Sequence, residues 1–260
     1  MHSQLISGFP IQTFGLCVAT GIFLAWMTVE KLYKRPELSN LVFALIITGL
    51  IGARITHVVQ YWHEDGFDRD LAAAFQIWNG GLVFYGGLIG GALAFAVWCA
   101  VKRPDVLHLA DVLCVGIPLG HAFGRIGCFF HGCCWGKVSD SALAVTFPAN
   151  SPVWAAHRSG EFASRSLPVL PTQLFEAAAL LLLFAALLLL YRKFKGYTAG
   201  AYMIGYSVIR FFMEFLRDDP RPEMCGLSSA QNVSILLFVL GLGFIGWSLF
   251  RNAKASSDNR

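Results

Sequence analysis

The sequence predicts an all-α polytopic membrane protein of about seven transmembrane helices, with a small extramembrane head inserted between segments four and five. Composition sets the class. Of 260 residues, 56% are hydrophobic and 14% charged, against roughly 25% charged in soluble domains, and the mean hydropathy is +0.58. Run length sets the number: apolar stretches of spanning length lie near residues 11–30, 38–59, 80–101, 107–129, 172–192, 198–216 and 231–250. The third observation is the polar, Ser- and Pro-containing stretch 137–171, a loop long enough to be functional rather than idle. Residues 1–260 therefore read as a single integral membrane domain, with 137–171 as its head. The alternation in Ala142–Phe147, ALAVTF, predicts a short strand there.

Charge orients the spans. With seven segments the termini lie on opposite sides, and alternate loops hold eleven basic residues on one side against six on the other. The rich side carries Lys31, Lys34, Arg35, Lys102, Arg103, Arg192, Lys193 and Lys195 and the C-terminal Arg251, Lys254 and Arg260. The positive-inside rule then places the C-terminus in the cytoplasm and the N-terminus outside. The net charge of +4 follows this topology, so nucleic acid is not an expected partner. No basic region precedes the first apolar run, so no cleavable signal peptide is expected.

Segment one is a plain anchor ending before the basic KLYKR. Segment two carries Arg54 within GARITHVVQYW, with His57 three residues on and on the same helical face. Either Arg54 reaches to the outer surface past Gln60, Tyr61 and Trp62, or it lines a polar cavity. Residues 63–79 form an acidic outer loop. Segment three opens NGGLVFYGGLIGG, where paired glycines strip side chains from two overlapping faces. They allow close helix packing, and they also leave room beside Tyr85 for a bulky substrate, making Gly81, Gly86 and Gly87 candidate contacts. Asp111, early in segment four, is expected to cap or pair.

Segment four delivers GIPLGHAFGRIGCFFHGCCWG, residues 116–136, to the outer side. Gly116, Gly120 and Gly124 repeat at four-residue spacing, a face that lets another helix approach. Arg125 follows inside an apolar run, where a guanidinium costs roughly 3 kcal/mol to insert and so marks a polar cavity. The glycines, cysteines and His131 beyond it are too irregular to face lipid. Segment five begins PTQLFE, with Pro171 suited to the first turn and Glu176 one turn in. Glu176 is held either by the helix N-terminus or by one of the arginines. Segment six ends GYSVIRFFMEFLRDD, where Arg210, Glu214 and Arg217 share a face at i, i+4 and i+7. Three intramembrane arginines, Arg54, Arg125 and Arg210, with few carboxylates beside them imply an anionic guest. A phospholipid head group is the anion that such a cavity meets most often, so an enzyme or transporter handling a phospholipid is expected.

GARI, GGLVFYGGLIGG, GRIGCFFHGCCWG, PTQLFE and GYSVIRFFMEFLR occur in the order and spacing of prolipoprotein diacylglyceryl transferases. From about Ile11 to Gly246 the chain resembles that family. The resemblance implies a seven-helix bacterial cytoplasmic (inner) membrane enzyme with a periplasmic head, N-terminus periplasmic and C-terminus cytoplasmic. It implies transfer of the diacylglyceryl group of phosphatidylglycerol to the lipobox cysteine of a preprolipoprotein signal peptide, releasing glycerol 1-phosphate. Membrane lipids are its surroundings, and no cofactor or metal is implied. Arg125 and Arg210 match the family's essential arginines, Arg54 a further cavity arginine, Gly136 the close of the signature motif, and Glu214 and Arg217 the pair that follows.

The chain departs from the family's pattern at Phe14 and Tyr85, where a tyrosine and a histidine are usual, and at Cys128, His131 and Cys133, where two asparagines and a glutamate are usual. The resemblance thus leaves Arg125, Arg210, Tyr85 and His131 as candidate catalytic residues, His131 as a replacement base. Arg54, Gly81, Gly86, Gly87, Cys128, Gly136, Glu176, Glu214 and Arg217 are candidate substrate contacts. Cys128, His131, Cys133 and Cys134 crowd seven residues, but not as the separated pairs of structural zinc sites, so no metal is expected. Cys133 or Cys134 is a candidate disulfide partner of Cys225, and Cys17, Cys99 and Cys114 read as packing residues. Two other readings stay open: the same lipid-donor chemistry on another acceptor or phospholipid, or a non-catalytic phospholipid-binding or translocating protein.

Overall fold

The computed structural model describes residues 13–258, apart from 36, 66, 68–69, 78–79, 158–163, 220–222 and 225. Its long helices are α1 (Thr13–Tyr33), α2 (Glu37–Gln60), α3 (Phe84–Lys102), α4 (Val106–His131), α6 (Thr172–Lys193), α7 (Thr198–Glu214) and α8 (Ser229–Asp258), with a short α5 (Pro152–Ala156) between α4 and α6. A two-residue hairpin, β1 (Glu223–Met224) and β2 (Leu227–Ser228), precedes α8. Among the described residues six helices, all but α5 and α7, are long and apolar enough to cross a membrane. The seventh expected span coincides with α7, which has 17 residues and stops at Glu214.

The chain divides into two compact units, the described residues of Glu30–Leu109 and those of Met1–Val29 with Ala110–Arg260. In the smaller unit α2 packs on α3, and glycine sets the separation. A Cβ on Gly86 would strike Thr56 and the Gly52 carbonyl, one on Gly90 the Thr48 carbonyl, and one on Gly87 would lie 3.3 Å from the Gly49 oxygen. The space over Gly86 and Gly87 is thus occupied by α2. Helix α3 begins at Phe84 rather than near residue 80, because Gly80 and Gly81 take left-handed φ of +88° and +73° that only glycine adopts freely.

In the larger unit α1 packs on α4 along part of the expected glycine face. Gly116 meets Val29 and Ala25, and Gly120 approaches Gly21. A Cβ on Gly124 would meet no other segment within 4 Å among the described residues; Gly127 takes its place, against Phe14 and Cys17. A helix has 3.6 residues per turn, so a seam that begins at 116 and 120 drifts from 124 toward 127. Helix α7 packs on α6 and α8. Asp111, fully buried on α4, caps the start of α7: its Oδ1 accepts from Ala199 N at 2.9 Å and its Oδ2 from Gly196 N. The residues between α4 and α6 fold over their own core of Trp135, Phe147, Val153 and Val169, flanked by Phe129 and Val145. The strand expected in 142–147 is reduced to single bridges, Val145 with Val169 and Pro148 with Arg165, so side-chain burial rather than a ladder holds this segment.

Candidate active site

Arg125 lies in the last third of α4, and Glu176 one turn into α6. Their side chains meet, Arg125 Nη2 to Glu176 Oε1 at 3.0 Å. Of the two positions left open for Glu176, the structure therefore takes the arginine. The Glu176 side chain is sealed, 1% exposed, while the Arg125 side chain keeps 21%. Arg125 also lies within electrostatic reach of Cys134, Cys128 and Arg217.

Beyond α4 the chain reverses through two left-handed residues, Gly132 (φ +79°) and Cys134 (φ +63°). For a non-glycine residue this conformation costs on the order of 1–3 kcal/mol and persists only where the surroundings hold it. Here the holding groups come from the start of α6: Thr172 Oγ1 donates to the Cys134 carbonyl at 2.9 Å and Gln173 Nε2 to the Cys133 carbonyl at 2.7 Å. The turn gathers Cys128, Cys133 and Cys134 so that their three Sγ atoms lie within 4.8 Å of one another. Gln173 is buried, and its Oε1 has no hydrogen-bond partner among the described residues.

Electrostatics separates the two thiols that lie past the helix. Hydrogen bonds from Cys128 and Cys133, with Arg217 and Arg125 nearby, hold the Cys134 thiol well below its ordinary range against the opposing effect of burial. Hydrogen bonds to Cys128 and Cys134, and burial, push the Cys133 thiol up. Burial pulls the Arg217 guanidinium down, but Asp219 and Cys134 outweigh it and the group sits above its ordinary range.

Arg217 does not extend the α7 face, because the helix ends at Glu214. It instead bridges Gly136 in backbone register and forks onto Asp219, Nε and Nη2 at 2.8 and 2.9 Å. Gly136 sits where the chains before α6 and after α7 meet: a Cβ there would lie 2.7 Å from the Leu170 oxygen and 2.8 Å from the Leu216 oxygen. Arg210 closes onto Glu214 at 2.8 Å, both side chains under a tenth exposed. The expectation of few carboxylates beside the arginines is corrected for these two: Arg125 and Arg210 each have one, the second at the i, i+4 spacing that allows it. An apolar medium favours such neutral pairs over single charges.

Arg54 takes carbonyl rather than carboxylate partners. In the smaller unit its guanidinium donates to four carbonyls, Nε to Ala74 at 2.7 Å, Nη2 to Ala73 at 2.6 Å, and Nη1 to Gly80 and Gly81 at 2.8 and 3.0 Å. Its fork therefore organises the loop after α2. His57 shares its face as expected, pairs with Asp65 at 2.8 Å, and with Arg54 lines a cleft of about 260 Å³ over Phe67, Ala73, Gly80 and Gly81. No side chain fits at Gly81, where a Cβ would strike His57 and lie 2.7 Å from Arg54 Nη1.

Tyr85 is exposed on the first turn of α3. His131 is exposed at the end of α4 with its ring 6.3 Å from that of Phe14, and no hydrogen bond or ion pair among the described residues joins it to Arg125. The sequence reading missed His121 and Tyr206. Their rings lie 5.4 Å apart, His121 one turn before Arg125 and Tyr206 one turn before Arg210. The signal was a polar residue four positions before each arginine within an apolar run. Cys225 lies outside the described residues, so the candidate disulfide to Cys133 or Cys134 does too.

Comparison with known proteins matches residues 3–247 to the family described as prolipoprotein diacylglyceryl transferase. A Clostridium perfringens protein named phosphatidylglycerol-prolipoprotein diacylglyceryl transferase 2 is 34% identical, covering 97% of each chain. Relatives named phosphatidylglycerol-prolipoprotein diacylglyceryl transferase come from Clostridium tetani, 31% identical over 94% of this chain and 96% of its own, and from Parasynechococcus marenigrum, 33% identical over 94% and 91%. Matched along nearly its whole length, with Arg125 of α4 paired to Glu176 of α6, this chain belongs to the prolipoprotein diacylglyceryl transferase family.

Proposed function

We propose that this protein transfers the diacylglyceryl group of phosphatidylglycerol to the lipobox cysteine thiol of preprolipoproteins, releasing glycerol 1-phosphate, at the bacterial cytoplasmic membrane. The observation that carries this reading is the one-sided Arg125–Glu176 pair. Glu176, sealed, holds Arg125 Nη2, while the arginine side chain as a whole keeps partial exposure, and its remaining N–H donors suit a phosphate. Attack of sulfur on the glyceryl carbon breaks the carbon–oxygen bond and leaves the electron pair on a phosphate monoester. A fixed cation beside that oxygen acts where charge develops.

Arg210, sealed against Glu214, acts as a positioning residue, and Arg54 and His57 shape the loop cleft of the smaller unit. Tyr85, exposed on the first turn of α3, and His131, exposed at the end of α4, remain the candidate residues for positioning or relaying the acceptor proton. Helix α7 is the seventh span, since 17 residues at about 1.5 Å each reach roughly 26 Å. Residues 137–171 form the periplasmic head, the N-terminus is periplasmic and the C-terminus cytoplasmic, as the basic loops require.

The test is transfer of labelled diacylglyceryl from phosphatidylglycerol to a synthetic lipobox peptide by the purified protein, with Arg125→Ala as control. Transfer that disappears in the control supports the proposal. Bound phosphatidylglycerol without transfer overturns it in favour of another acceptor or a binding role.

A further inference from the structure

Three thiols gathered at one point, in a chain whose function turns on a fourth, ask for an account. Cys133 and Cys134 are adjacent, and in an extended chain their side chains would point to opposite sides. The left-handed turn at Cys134 prevents that and brings both Sγ atoms back toward Cys128, one helical turn earlier. In a tetrahedral site with zinc–sulfur bonds of about 2.3 Å, neighbouring sulfurs lie ~3.8 Å apart. The observed separations of at most 4.8 Å need to close by ~1 Å or less. The carbonyls of Cys133 and Cys134 are pinned by Gln173 and Thr172, the kind of outer contact that orients metal ligands. Arg125 and Arg217 both lie within electrostatic reach of Cys134, so an anionic tris-thiolate centre has cationic neighbours.

We propose that Cys128, Cys133 and Cys134 bind one zinc ion and leave its fourth position to the acceptor thiol, an inference that rests on the transferase reading above. Among the described residues no further histidine, cysteine or carboxylate joins the three. All three are partly exposed rather than enclosed. Three protein ligands with an open position is the arrangement of catalytic rather than structural zinc. The acceptor S–H gives its proton to water as the zinc–sulfur bond forms. The bound thiolate attacks the glyceryl carbon; the carbon–sulfur bond forms, the carbon–oxygen bond breaks, and the electron pair leaves with glycerol 1-phosphate. The neutral thioether, a weaker ligand, departs. Zinc thus supplies thiol activation at the cysteine turn itself. Spacing alone argued against metal because it is one-dimensional; the left-handed turn makes adjacent cysteines converge.

Cobalt(II) titration of the full-length, detergent-purified protein, prepared under reducing conditions and stripped of metal, tests this. One equivalent is expected to produce sulfur-to-cobalt charge-transfer absorption, lost in C128S, C133S and C134S and kept in C114S and C225S. A lipobox peptide, added without phosphatidylglycerol, is expected to raise that absorption by ~one third as three thiolates become four, while its Cys→Ser analogue leaves it unchanged. Absence of the band in protein whose elution and melting are normal overturns the site, as does a disulfide within the trio on non-reducing peptide mapping. Loss of the band in C225S, or no response to the peptide, overturns the open position. Both readouts are independent of transfer, so a failed transfer assay with an intact band removes the transferase reading and leaves the metal site standing. Unchanged transfer by metal-stripped protein removes the zinc step alone.

Discussion

Glu176 Oε1 sits 3.0 Å from Arg125 Nη2, with its own side chain only 1% exposed. Removing one partner of such a pair leaves an uncompensated charge out of water, which costs about 3–5 kcal/mol. Glu176→Gln is therefore expected to lower melting markedly and, because the guanidinium is released from its edge, to cut transfer at least tenfold. Arg125→Lys keeps the charge but loses the planar fork, so it is expected to melt closer to the parent than Glu176→Gln while transferring little. Scanning fluorimetry beside the labelled-lipid assay checks both, and a fully active Arg125→Lys would sink the fork argument.

Gly136 is expected to tolerate no side chain. A Cβ would press on carbonyl oxygens from two directions, at 2.7 and 2.8 Å, and neither strand can retreat without breaking the Gly136–Leu170 and Lys137–Leu216 hydrogen bonds. Overpacking of this kind costs about 1–3 kcal/mol. Gly136→Ala should lose that much stability together with activity. A parent-like melting curve for this variant would show that the junction is softer than its geometry.

Asp111 lies on α4, yet its carboxylate caps the backbone N–H groups that open α7. Loss of a cap costs ~0.5–2 kcal/mol, and leaving the buried N–H of Ala199 without an acceptor adds to this. Asp111→Ala is expected to destabilise the protein by about 2 kcal/mol and to speed amide exchange at Gly196 and Ala199. Protection that is unchanged at those two amides would contradict the cap.

The cysteine turn has a pH signature in metal-stripped protein. Cys134 is held below its ordinary range, so as pH falls it stays thiolate further down than an unperturbed thiol at about 8.5. Its alkylation by iodoacetamide should fall off at lower pH than that of such a thiol. Cys133 is pushed the other way, stays protonated, and should label slowly. Peptide mass spectrometry at several pH values reads the two sites separately, and parallel pH dependences would refute the assignment.

Much of the fold was legible from apolar run length. All seven expected apolar segments coincide with helices, most within a few residues, and among the described residues six of these are long and apolar enough to cross a membrane, where a stretch that must satisfy its own hydrogen bonds in lipid has few other choices. Where a boundary moved, glycine moved it: α3 waits for Phe84 because Gly80 and Gly81 turn left-handed. The strand expected from alternation in 142–147 came out as isolated bridges, since alternation records which side is buried and not whether a partner strand runs alongside.

By itself the sequence determined the class, the number of apolar segments and the presence of charged residues inside them, since these are properties of composition and length along one dimension. What only the tertiary structure decided is who meets whom. It joins Arg125 to Glu176 across 51 residues, turns Arg54 onto its own loop, sends Arg217 to Asp219 beyond the end of α7, and folds Cys133 and Cys134 back onto Cys128. The physical reason is common to all four. A charge or a thiol held out of water takes whichever partner the packing of distant segments brings within about 3–5 Å, and that proximity is not written in spacing along the chain.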